Sequence, residues 1–341
     1  MAYISFQPKD YFNTKLYTGN GSTNAITGVG FQPDFTWIKQ RSATRSHMLF
    51  DAIRGATYRL SSDTNEANGQ YSTSLTAFNT DGFTLGAFND VNASSGTFAS
   101  WNWLANGTGS SNNVGSVAST VSANTTSGFS IVKYTNPSSG SPFTVGHGLG
   151  AAPKMIIIKN LSSAQTWGVY HVSVGFGKYL RLDTTNDQAN ANLITATSAT
   201  TFSAYQDHHS TGNELIAYCF AEVKGFSKFG FYTGNGNVNG PFVYTGFKPA
   251  FVLFKEYSGA GDANWVIQDS KRAGFNPNNN RVYPNDSAAE NTSSFRIDML
   301  SNGFKLRSSD GDANENGNNF LFMAFAEHPL VASNGTPATA R

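Results

Sequence analysis

One arrangement of residues occurs three times along this chain, and any fold proposed for it has to accommodate that recurrence. Tyr17-Thr18, Tyr134-Thr135 and Tyr232-Thr233 each open a segment. Each then runs through a Gly-rich stretch into an apolar run ending in lysine: Phe35-Thr36-Trp37-Ile38-Lys39, Met155-Ile156-Ile157-Ile158-Lys159 and Phe251-Val252-Leu253-Phe254-Lys255. The opening tyrosines lie 117 and 98 residues apart, whereas the interval from tyrosine to lysine stays at 22, 25 and 23. Asp51 and His171 follow their lysines by twelve residues and Asp269 follows by fourteen. Aromatic-alternating closes complete each segment at Trp101-Asn102-Trp103, Tyr218-Cys219-Phe220 and Phe322-Met323-Ala324-Phe325. Constant motif spacing with elastic connectors is the signature of internal duplication.

The segments between the motifs lack apolar residues at helical spacing. Short runs of Phe, Tyr, Val, Ile and Thr alternate instead with Gly, Asn, Pro and Ser clusters, which predicts strands joined by tight turns. Asp51-Ala52-Ile53-Arg54 and Ala189-Asn190-Ala191-Asn192 are long enough only for a helical turn. The expectation is an all-β chain with little helix, built as three antiparallel β-sandwich units of jelly-roll type in series, each with its own core. A propeller would need a period of roughly 40–50 residues, about half of that found. The repeated lysine reads as a solvated strand end.

The predicted organisation is an N-terminal arm over 1–14, units over 15–105, 128–224 and 225–330, and a C-terminal tail over 331–341. Residues 106–127 contain no aromatic side chain and are rich in Ser, Asn and Gly, a linker composition. Each unit has roughly the size of a small domain.

Charged residues make up 13% of the chain and the formal net charge is +1, so no electrostatic footprint for nucleic acid or an anionic membrane is present. No apolar run reaches the roughly 18 residues of a membrane span, and the first ten residues carry no basic and apolar leader pattern. A single cysteine, Cys219, permits no intramolecular disulfide, consistent with folding in a reducing compartment.

Candidate chemistry is sparse. Asp310, Asp312, Asn314 and Asn316 alternate oxygen donors in a way that suits calcium, without the bidentate glutamate of an EF-hand. Asp207-His208-His209 would place its imidazoles on opposite strand faces, which argues against zinc. Glycoside cleavage needs two carboxylates about 5–9.5 Å apart. Four of the seven glutamates instead fall at repeated places, Glu222 with Glu327 and Glu66 with Glu290, as do Asp51 and Asp269. Neither a Gly-x-Ser-x-Gly elbow nor a phosphate loop is found. The expectation is therefore a protein without catalytic residues or cofactor.

Sugar binding is the remaining chemistry. Trp167 and Trp265, beside amide-rich segments, are candidates to stack on pyranose faces, although their matched placement equally suits a structural role. The loop Phe275-Asn276-Pro277-Asn278-Asn279-Asn280 breaks the repeat, making Asn276, Asn278, Asn279 and Asn280 candidate recognition residues.

Tyr17-Thr18-Gly19-Asn20-Gly21, the run from Gly30 to Lys39, Phe229-Gly230-Phe231-Tyr232-Thr233-Gly234-Asn235-Gly236 and Met323-Ala324-Phe325-Ala326-Glu327-His328-Pro329 carry a resemblance. Nearly the whole chain, including its end at 331–341, resembles an uncharacterised repeat domain of structural proteins of marine tailed phages, those of cyanobacteria and pelagic bacteria among them. The middle unit departs from the pattern, with Asn136-Pro137 in place of the Gly-Asn-Gly turn. The resemblance implies a virion component assembled in the host cytoplasm. Its expected role is a tail fibre or host-recognition appendage, homo-oligomeric with a trimer favoured, contacting other virion proteins and a host surface glycan. A capsid-decorating or head-fibre protein is the alternative within that class, and a carbohydrate-binding module or polysaccharide depolymerase the alternative outside it.

Overall fold

Each of the three lysine-terminated runs is buried from end to end and lies within a strand, Phe35–Gln40, Pro153–Asn160 or Phe247–Ser258, at or near the middle of a large antiparallel sheet. The structure is a computed structural model, and it describes residues 4–137, 142–205, 210–259, 263–293 and 297–329. The chain is all-β, with three four-residue α-helical turns and one short 3₁₀ turn among the described residues. Ala189–Asn190 is a two-residue strand rather than a helical turn.

The six sheets form three large-and-small pairs. In the first, Phe12–Thr18, Thr97–Trp103, Phe35–Gln40, Met48–Asp51, Tyr58–Ser61 and Gly69–Gln70 lie side by side. Asn24–Thr27, Gly82–Leu85 and Leu75–Asn79 make its small sheet. The second pair repeats this order from Phe129–Thr135 onward, and the third repeats its first four strands, from Ser227–Thr233 to Val266–Asp269, together with the small sheet. Between the two sheets of each pair lies a separate apolar core, represented by Ile38 and Phe83, by Ile156 and Phe202, and by Val252 and Phe304.

The opposite faces of the three large sheets are not solvated. Trp37, Trp101 and Trp103 of the first sheet meet Ile157, Tyr218 and Phe220 of the second and Leu253, Met323 and Phe325 of the third in one shared core. A sheet covered on both faces needs apolar residues at consecutive positions, not at alternate ones. That accounts for runs such as Met155-Ile156-Ile157-Ile158, of which alternate members face the outer and the shared core. Each unit has a core of its own, as expected, and the three sandwiches also pack around a common centre, which an arrangement in series does not require.

Two segment readings also change. Within 106–127, Ser110–Asn112 and Ser119–Asn124 are strands that extend the edge of the second large sheet. Val121 points into that sandwich's core and the Ser122 hydroxyl accepts from the Asn106 backbone N–H at 2.8 Å. An edge strand needs few large side chains, so its composition matches that of a linker. At the N-terminus the first strand starts at Phe12, and Phe6 and Tyr11 pack edge-on against Phe226 of the third sandwich. The tail expected over 331–341 lies outside the described residues.

Candidate functional site

The three repeated lysines are fully buried, not solvated. Lys159 donates to the carbonyls of Gln165 and, at 2.9 Å, of Asn65 in the first sandwich. Lys39 donates to the carbonyls of Arg45 and, at 2.8 Å, of Ser287 in the third. Lys255 donates to Thr185 of the second at 2.8 Å. The links run second to first, first to third and third to second, so they close a cycle. Carbonyl acceptors let an ammonium group sit inside the protein. Burial still lowers Lys39 and Lys159 to about 8, against the pull of Asp63 and Asp183 respectively.

The tryptophans follow the same cycle. Trp167 Nε1 donates to the Ser61 carbonyl and Trp265 Nε1 to the Arg181 carbonyl, each at 2.8 Å and each in the preceding sandwich. Two residues past each acceptor, Asp63 and Asp183 accept the backbone N–H of His47 and Trp167 in their own sandwiches, as Asn285 does for Trp265. His47 is thus the first-sandwich counterpart of the two tryptophans. All five tryptophans lie in the shared core at no more than 1% exposure, so Trp167 and Trp265 are not available as sugar platforms.

Asp51, His171 and Asp269 occupy one position in the three sheets, opposite Phe35, Met155 and Phe251. Asp51 is paired with Arg54 at 2.5 Å and accepts from the Tyr218 hydroxyl of the second sandwich at 2.8 Å. Asp269 is paired with Arg272 at 2.5 Å and accepts from Trp101 Nε1 of the first sandwich at 3.0 Å. In the second sandwich the corresponding residues are His171 and Val174, and the facing donor position carries Met323. There His171 Nε2 donates to the Phe322 carbonyl at 3.2 Å while Nδ1 accepts from the Ser173 N–H at 3.1 Å, which fixes a neutral imidazole. Carboxylate, arginine and donor are lost together, because any one of them left alone would be a buried unpaired group.

The carboxylates expected to repeat are also structural. Burial would raise Glu290, but Arg272 and Arg41 hold it below its ordinary value, and Arg41 reaches it from the first sandwich at 2.8 Å. Glu66 pairs with Arg59, Glu222 with Lys228 and Glu327 with Lys248. Among the described residues no three His, Cys, Asp or Glu side chains converge as metal ligands. Asp207, His208 and His209 lie outside the described residues.

The proposed calcium loop is a turn support. Asp310 caps a helical turn over Gly311–Asn314 by accepting from the Asp312 N–H, and Asp312 accepts from the Asn264 N–H at 2.7 Å. Buried Asn314 donates to Asn235, Asn237 and Ser308 and accepts from the Asn235 N–H, leaving no oxygen turned toward a cation. Asn92 does the same for the Gly19-Asn20-Gly21 turn. A side chain on Gly19 or Gly234 would stand 2.2 Å from the Ala93 or Glu315 carbonyl, which explains the glycine in both turns. Asn316 is exposed and takes no part in the Asn314 network.

The asparagine loop is likewise stapled through its amides. Asn276 exchanges two hydrogen bonds with the Met299 backbone at 2.9 Å, buried Asn278 donates to the Asp269 carbonyl, Asn279 to Thr292 and Asn280 to Glu290. What this docking leaves exposed is Phe275 and Pro277.

Pro277 lines a cleft on a surface where, among the described residues, the third sandwich departs from the other two. On the outer face of its small sheet Phe242 lies opposite Lys305, which lies opposite Asp298. The matching rows are Ala25, Thr84 and Ala77 in the first sandwich and Thr144, Ser203 and Ala196 in the second. Tyr244 stands where Thr27 and Gly146 stand. Phe242 and Tyr244 are 46% and 57% exposed, large rings with no core to fill. Beside them Val238, Asn239, Pro277, Asp298 and Arg307 line an open cleft of about 370 Å³, in which Arg307 pairs with Asp298 at 3.1 Å. No periodicity or motif marks this patch; the aligned repeats would have shown it as aromatic and charged residues at positions that are small elsewhere.

No curated protein and no solved structure matches the chain. One family model does, covering residues 7–329, and the chain belongs to that family, the domain of unknown function DUF7483.

Proposed function

We propose that the protein is a non-enzymatic structural component of a bacteriophage virion that acts in a host-recognition appendage by multivalent surface contact. The observation that carries this reading is the distribution of chemistry-bearing side chains. The buried Asp, Arg, Lys, His and Trp groups join sandwiches to one another, and the exposed aromatic and charged cluster sits on a rigid outer sheet. Such a body presents a surface without reorganising, and copies held together in a virion gain avidity of about 10²–10⁴ over a single site. The resemblance of its Gly-Asn-Gly and lysine-terminated segments to marine phage structural proteins supports the virion setting.

Packing of the three sandwiches around one centre favours a knob at a fibre tip over a length of shaft. The same shape suits a capsid-decorating protein, which is the second reading. Adsorption competition tests the choice: purified protein added in excess should slow attachment of phage to host cells. Protein that binds isolated heads and leaves adsorption unchanged would replace the first reading with the second.

A further inference from the structure

We propose that the outer face of the third sandwich is a saccharide-binding site for an uncharged, pyranose-containing glycan. The inference rests on the host-recognition reading and names its ligand class. Three observations converge. Phe242 and Tyr244 project from alternate positions of one short strand, so both rings stand on the same face as a platform for the C–H faces of a sugar ring. The adjoining cleft, at about 370 Å³, is at the small end of the roughly 300–1,000 Å³ usual for ligand pockets, the size of one or two sugar residues. Its polar wall combines an acceptor with a donor, the Asp298 carboxylate and the Arg307 guanidinium, which together suit adjacent hydroxyl groups.

Charge argues for a neutral ligand. Arg307 is compensated by Asp298 at 3.1 Å, and Lys305 is turned to the Gly240 carbonyl at 2.6 Å, so no free cationic pair awaits a carboxylate or sulfate. Pro277 and Val238 give the cleft an apolar rim, and Asn239 adds a further polar side chain to its lining. At the other edge of the same small sheet the Asn276 amide pairs with the Met299 backbone, fixing the loop that carries Pro277.

The test uses the full chain on an array of neutral, sialylated and sulfated oligosaccharides, with affinities measured for the best ligand. A neutral oligosaccharide should be retained, and Tyr244→Ala and Arg307→Ala should each weaken it by about tenfold or more. Thr27→Ala, at the first-sandwich position matching Tyr244, should leave it unchanged. All three sites are exposed, and an unchanged melting temperature shows that each variant is folded. Retention of no neutral glycan, retention only of anionic ones, or binding indifferent to both variants overturns the proposal. Host-cell binding separates this failure from failure of the function: cells bound equally by wild type and Tyr244→Ala refute the site alone, whereas wild-type protein that binds no cells refutes the recognition role.

Discussion

The Tyr218 hydroxyl donates to the Asp51 carboxylate at 2.8 Å across a separation of 167 residues, joining the second sandwich to the first inside the shared core. Asp51 is also the partner of Arg54, so the tyrosine completes a carboxylate that neither sandwich satisfies alone. Tyr218→Phe should cost about 1–3 kcal/mol, the range for leaving a buried acceptor short of a donor. Asp51→Ala should cost more, about 3–5 kcal/mol, because it strands the Arg54 guanidinium. Urea unfolding gives both values. A loss below about 0.5 kcal/mol for Tyr218→Phe, the level of an ordinary surface change, would show that the bond joins nothing.

The His171, Val174 and Met323 set implies that the joint changes only as a unit. Asp51→His alone should be severely destabilising, since Arg54 and Tyr218 lose their acceptor together. Adding Arg54→Val and Tyr218→Met should return part of that loss, with a favourable coupling of about 0.5–3 kcal/mol between the substitutions. Equilibrium unfolding of the single, double and triple variants reads the coupling. Strict additivity would mean that the middle sandwich tolerates its histidine for some other reason.

Fold class was legible because turn residues and short aromatic runs report local backbone, and local backbone here is not overridden. Mutual packing was legible in principle and was misread: Met155-Ile156-Ile157-Ile158 does not alternate, and a strand without alternation has two covered faces. Lys39, Lys159 and Lys255 looked like solvated strand ends because charge ordinarily marks solvent. Their acceptors, Ser287, Asn65 and Thr185, are backbone carbonyls on distant loops and carry no side-chain signal. The 106–127 segment misled for the opposite reason, since an edge strand covered on few sides has the composition of a tether. At the candidate site, the segment Asn276 to Asn280 reads as a recognition loop because it breaks the repeat and is rich in amides. Their amides are spent on docking, and the surface proposed for saccharide is made by neighbours that only a comparison across the three sandwiches singles out.

Stability should fall as the solution is acidified below neutrality. Burial lowers His171 to about 4 and also lowers His47 and His147, so from about pH 6.5 downward the unfolded chain takes up protons that the folded chain refuses. Each such group contributes a slope of about 1.4 kcal/mol per pH unit while its folded form stays neutral. For His171 that window runs from about 6.5 down to about 4. Lys39 and Lys159 act at the other end: their folded values of about 8 lie below the ordinary 10.5, so stability rises with pH across that interval. Thermal melts from pH 4 to 10 should show both slopes, and His171→Gln should flatten the acidic one. An acidic limb unchanged by that substitution would remove His171 from the account.

A sandwich taken from the cycle should not behave as a domain. Expressed alone, residues 106–224 would turn Phe129, Ile131, Met155, Ile157, Tyr218 and Phe220 to water, side chains whose burial is worth about 1.5–3 kcal/mol apiece. The resulting apolar patch exceeds the few hundred Å² that soluble monomers commonly expose. The piece should aggregate or stay loosely folded, and co-expression with 1–105 and 225–341 should recover a soluble complex that elutes with the intact chain. Size-exclusion chromatography with near-ultraviolet circular dichroism decides between the outcomes. A monodisperse 106–224 fragment with fixed aromatic packing would show that the outer core suffices, and the shared centre would then be a docking surface between independent domains.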